Sequence, residues 1–217
     1  MSEGAIQSRL EAELAHFGSI PWCSEILRST PNIVVGLGHG IRAANDGKSS
    51  PFFSETVNTP STIPAFIHFY SWPPPPGPSS PAGQQQQQQQ QLAGGGPLPI
   101  REVRALLSLA GGVDGHEGVC HGGVVCSILD EAIGLLALVN KKVGGLPELP
   151  LVTGHLNVRF RRPVRTGRAV LATSRVKADG GGGGAGRYAC EGILQDEQGT
   201  VLAVGEALFV QLQQIKL

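Results

Sequence analysis

The 217-residue sequence predicts an α+β fold: an antiparallel sheet wrapped round one long central helix, with an N-terminal helical extension. Two observations predict it. Val124, Val125, Ile128, Leu129, Ala132, Leu135, Leu136 and Val139 follow the i, i+3, i+4 rhythm of a helix. Alternating stretches flank that helix, one before it at 101–110 and four after it at 156–160, 170–177, 187–194 and 201–210.

Taken in order, Ile6, Leu10, Leu14 and Phe17 form one stripe, so residues 5–17 read as a short amphipathic helix. Trp22, Ile26 and Leu27 mark a second helical turn between Pro21 and Pro31. Residues 33–40, IVVGLGHG, resemble a phosphate loop in glycine content but lack its GK[ST] ending, so they read as a simple Gly-rich loop. Residues 41–51 read as an exposed loop. Residues 52–72 hold most of the aromatics and are expected to pack onto the main domain. The organisation is then an extension at 1–72, a Pro/Gln/Gly low-complexity linker at 73–97 and a folded domain at 98–217. In that domain, Val103, Ala105, Leu107 and Leu109 face one way along a first strand. Leu156, Val158 and Phe160 alternate with Asn157, Arg159 and Arg161 along another, which Pro163 stops. A glycine loop at 179–186 joins the next strand to the last pair.

Composition removes several classes of function. Lys plus Arg equals Asp plus Glu, 17 each, so no global field favours nucleic acid or a membrane surface. No run of about 18 apolar residues lacks a charge, so no membrane span is expected. Glu3, Glu11 and Glu13 stand against Arg9 alone, which suits neither a transit peptide nor a signal peptide. Cys23, Cys120, Cys126 and Cys190 show no CxxC spacing and read as reduced thiols. The expected location is cytoplasmic, with a mitochondrial one left open.

The chemistry concentrates in residues 115–139, GHEGVCHGGVVCSILDEAIGLLALV. Gly118, Gly122 and Gly123 build a turn ahead of the helix, whose first amides are unpaired and electropositive and suit a developing oxyanion. Asp130 is the anomaly, a carboxylate on an otherwise apolar helix, either satisfied by a partner or used. Gly122 and Asp130 are eight residues apart, about 12 Å along a helix, so one carbonyl cannot touch both in one chain. Two antiparallel helices about a two-fold axis would bring each Asp130 to the partner's helix start. Gly134 costs about 1 kcal/mol relative to alanine inside a helix, and close approach of a second helix is one way to offset it.

HGG, six residues and then Asp, after a G-x-x-H turn, resembles the hotdog-fold acyl-CoA thioesterases of the phenylacetyl-CoA type. His121, Gly122, Gly123 and Asp130 match that motif, and LNVRFRRPVRTGR at 156–168 resembles the strand and turn that follow it. The resemblance covers roughly the last 120 residues. PWCSEIL and PFFSETVNTPSTIPAFIHFY also resemble the N-terminal extension of fungal members. Many members carry Asn where this chain has Gly115, and the place of that Asn is empty or taken by His116.

The resemblance implies hydrolysis of the C(=O)–S bond of an acyl-CoA by a homodimer or tetramer. Coenzyme A enters as part of the substrate, with no metal and no other cofactor. Asp130 would be general base or nucleophile, with Glu131 the competing carboxylate. Gly122 and Gly123 would polarise the carbonyl. His121 would orient the turn, bond across the interface, or be structural. Thr153 takes the place of a strand Ser/Thr that holds the water. Gly118 and Glu131 line the substrate site, and Arg159, Arg161, Arg162, Arg165 and Arg168 are candidates for the CoA phosphates. The alternatives are a hotdog protein that binds acyl thioesters without turnover, and a protein-interaction module.

Overall fold

The computed structural model describes residues 2–38, 51–73, 98–177 and 186–212. Nearly all of the linker at 73–97, of the expected loop at 41–51 and of the glycine loop at 179–186 lies outside the described residues. The element order is α1 (Glu3–Gly18), α2 (Pro21–Ser29), β1 (Ile33–Leu37), β2 (Ala65–Ser71), β3 (Glu102–Leu109), β4 (Asp114–His116), β5 (Val119–Cys120), α3 (Gly122–Lys142), β6 (Leu151–Phe160), β7 (Arg168–Val176), β8 (Arg187–Gln195) and β9 (Val201–Gln211). Seven strands form one antiparallel sheet in the order β1-β2-β3-β7-β8-β9-β6. The sheet curls round α3. This is the hotdog arrangement the sequence predicts.

The sheet carries apolar layers on both faces. Ile128, Leu129, Ile133 and Leu136 of α3 pack on Leu107, Val170, Ala172 and Ala207 of the inner face. Gly192 and Gly205, paired across β8 and β9, lie under the helix, and a Cβ on Gly192 would stand 2.8 Å from Ile133 Cγ1. Close approach of helix to sheet therefore favours glycine at 192, whereas a Cβ on Gly205 would make only ordinary contact with Leu129 at 3.4 Å. On the outer face, Leu10, Leu14 and Phe17 of α1 and Cys23 of α2 cover Ala65, Ile67, Phe69, Leu106 and Ala169. The buried Glu13 carboxylate accepts from the Phe66 amide at 2.9 Å and pairs with Arg9 at 2.9 Å, which ties α1 to β2.

Residues 33–37 correct the loop reading: they form strand β1, paired with β2 from Ile33–Ser71 to Leu37–Ile67. The aromatic stretch supplies β2, which is buried on both faces and so shows no polar alternation. Both strands belong to the same sheet as β3. By length and composition α3 could cross a membrane, but here the sheet takes its apolar side.

His68 of β2 faces inward, is 3% exposed, and its Nδ1 meets the Leu37 carbonyl at 3.0 Å. Burial lowers its pKa from 6.5 to about 4; Lys142 adds repulsion, and the Leu37 contact opposes both. The folded state therefore holds fewer protons than the unfolded state between these values. His68 contributes stability that is complete above pH 6.5 and lost as pH falls towards about 4, roughly 3 kcal/mol in all. Denaturant melts across that window should show this slope, and His68→Gln should flatten it.

Candidate active site

The approach to α3 is a small hairpin, β4–β5, held by one carboxylate. Asp114 Oδ2 accepts from the Gly118 amide at 2.9 Å, and its Oδ1 accepts from the Thr166 hydroxyl at 2.7 Å. Gly118 sits at φ +69, which favours glycine. The Cys120 amide donates to Val164 O and the Thr166 amide to Gly118 O, so the 161–167 turn lies against this hairpin. Sequence reasoning missed Asp114. An Asp four residues before a Gly is a usable signal for such a turn, although Thr166 is reached only through the fold.

His121 is the N-cap of α3. Its Nδ1 accepts from the Gly123 amide at 3.0 Å, and its carbonyl accepts from Val124 and Val125. An accepting Nδ1 carries no proton, so the neutral ring presents Nε2–H outward. The two glycines thus differ. Gly123 N–H is committed to the cap, whereas Gly122 N–H has no partner among the described residues and lies at the exposed helix start. The Phe160 ring, 56% exposed, lies beside Gly122.

Asp130 lies two turns further along α3, half-buried, on the stripe that the chain's own sheet leaves uncovered. The Thr153 hydroxyl of β6 donates to Asp130 Oδ1 at 2.8 Å. Sequence reasoning expected both residues at the site, and the fold brings them together. Gly122 and Asp130 of one chain stay about 12 Å apart along the helix. Below Asp130, Ile133, Ala137, Leu151, Tyr188, Cys190 and Phe209 line a narrow apolar crevice. Burial pushes the Cys190 thiol up to about 11, so this wall is uncharged.

The arginines separate. Arg165 bridges to Val119 beside the helix start, and the Arg161 and Arg162 amides both donate to Leu202 O at the same end. Arg159 pairs with Val204 on the outer face of β6, and Arg168 reaches Glu197 at 3.3 Å. Glu131 follows Asp130 on the half-buried side of the helix, and His116 is exposed on β4.

Gly115 packs against His121. A Cβ at 115 would meet His121 Cα at 3.0 Å and Cδ2 at 3.1 Å. An asparagine there must push the histidine aside. Gly115→Asn is therefore expected to disturb the cap, at a cost of about 1 kcal/mol. In a thermal melt, that corresponds to a melting temperature lower by about 2–4 °C.

Residues 117–181, from this turn through α3 and β6 into β7, match the Thioesterase superfamily. Verlamelin biosynthesis protein B of Lecanicillium sp is 24% identical over 92% of this chain and 88% of its own length. Among solved structures, the thioesterase superfamily protein RHA08564 is 26% identical with a TM-score of 0.41. That likeness covers 50% of this chain and 51% of the other, about half its length. The E. coli PaaI protein from the phenylacetic acid degradation operon is 20% identical with a TM-score of 0.42, over 51% of this chain and 76% of its own.

Proposed function

We infer that this chain, a hotdog-fold protein of the thioesterase superfamily, hydrolyses acyl-CoA thioesters to free acid and CoA as a homodimer. The observation that carries this reading is the Thr153 hydroxyl 2.8 Å from Asp130, on the face of α3 that its own sheet leaves open. Thr153 engages Oδ1 and leaves Oδ2 for a water. Asp130 takes the proton as that water adds to the carbonyl, and returns it as the C–S bond breaks and CoA leaves as the thiol. As a nucleophile, Asp130 would instead form a mixed anhydride, releasing CoA before water cleaves it. A single turnover in ¹⁸O-water separates the two, since the anhydride route can place label in the Asp130 carboxylate.

The oxyanion needs a donor that Asp130's own helix start cannot reach. The partner's Gly122 N–H supplies it when two α3 helices run antiparallel and cross near Cys126, midway between Gly122 and Asp130. The β6 edge, unpaired among the described residues and with Val152 39% exposed, suits the same contact. The crevice beyond Asp130 takes an uncharged, apolar acyl group. Arg161, Arg162 and Arg165 stand near the helix start for the CoA phosphates.

Gly122→Pro tests the shared site. Proline suits the first helical position and takes away the N–H, its Cβ only in ordinary contact with Phe160, so a loss of about 10²–10³-fold in kcat is expected. Subunits carrying Asp130→Asn mixed with subunits carrying Gly122→Pro should regain about one quarter of wild-type activity, because one site in each mixed dimer is intact. Failure to regain activity after verified subunit exchange would sink the shared site. A second reading, an acyl-thioester binder without turnover, is favoured by Gly115 at the family's Asn position. It predicts acyl-CoA binding with no hydrolysis.

A further inference from the structure

Where β6 and β9 pair, from Leu151–Gln211 to Phe160–Ala203, β6 contains one residue more than its partner. Along β9, Gly205, Ala207 and Phe209 face α3, while Val204, Glu206, Leu208 and Val210 face away. Val158 pairs with Gly205, Leu156 with Ala207 and Thr153 with Phe209, all on the helix side. Two residues separate Leu156 from Thr153, where one separates Ala207 from Phe209. The extra one is Gly154, a bulge between Thr153 and His155. Strict alternation carried back from Leu156 would turn Val152 inward and Thr153 outward, away from Asp130.

We propose that Gly154 is a positioning residue, whose bulge reverses the facing of β6 and so aims the Thr153 hydroxyl at Asp130. The proposal rests on the reading of Asp130 and Thr153 as the reaction centre and adds what orients it. Glycine leaves the room this bulge uses. A Cβ at 154 would stand 3.0 Å from Val210 Cγ2 and 3.2 Å from the Leu208 carbonyl oxygen. The methyl can swing aside, but the carbonyl is held in the sheet. A side chain at 154 therefore displaces β6 at the bulge, and Thr153, the adjacent residue, moves with it.

The test is a double-mutant cycle in the full chain, assayed with hexanoyl-CoA alongside Asp130→Asn. Gly154→Val and Thr153→Val should each lower kcat by about 10- to 100-fold with KM little changed, the scale of a displacement of about 1 Å at a reacting group. Thr153→Ser should retain most activity. The variant carrying both changes should be no slower than either alone, because both remove one contact. Losses that multiply, or an unimpaired Gly154→Val beside an inactive Asp130→Asn, would overturn the proposal. If valine unfolds the edge, Gly154→Ala enters the same cycle with a smaller expected loss. An active Asp130→Asn would remove the reaction centre itself, and the proposal with it.

Discussion

Asp130→Asn is expected to lower kcat by about 10²–10⁴-fold, the contribution of a positioned acid–base group. The fold should survive. Asp130 is half-buried, and the amide oxygen of asparagine can still accept from Thr153 Oγ1. Only the capacity to take a proton, or to attack, is lost. Surface-like substitutions of this kind shift stability by about 0.5 kcal/mol, so the melting temperature should move by no more than about 2 °C. The measurement is steady-state hydrolysis of an acyl-CoA panel beside a thermal melt. Wild-type turnover in the variant would transfer the role to Glu131 or to binding alone.

Asn140→Ala is the largest stability effect expected. Asn140 is 0% exposed near the end of α3. Its Oδ1 accepts from the Ile100 amide at 3.0 Å, and its Nδ2 donates to Ile100 O and Leu136 O, both at 2.8 Å. One side chain thus pins the chain entering β3 to the central helix. Alanine leaves the Ile100 N–H and C=O buried without these partners, at about 1–3 kcal/mol per group. A total near 3 kcal/mol corresponds to a melting temperature lower by about 6–12 °C. Turnover per folded molecule should be unchanged, because Asn140 lies far along α3 from Asp130. A melt within about 2 °C of wild type would show that water replaces both bonds.

How much was legible depended on the range of the forces involved. α3 could be read to within a few residues, because a 3.6-residue rhythm and an HGG start are local signals. β3 and β7 to β9 were legible for the same reason, each alternating along its own length. β1 and β2 were not. β2 is covered by α1 outside and by the core inside, which erases alternation, and Gly36 of β1 is where His68 packs, a contact between strands. At the site, sequence treats Gly122 and Gly123 alike, whereas the His121 cap occupies one amide and leaves the other. Asp114 escaped notice because Thr166, one of its partners, is 52 residues away.

By itself the sequence determined the helix, most of the strands and the residue types that could do chemistry, since each is encoded by spacing over a few turns or a few alternations. Tertiary structure alone decided which way those residues face. Thr153 meets Asp130 because the β6–β9 register admits one extra residue, and Arg159 is turned outward by the same ladder. Register is set by pairing between distant segments, and a shift of one residue exchanges inside for outside.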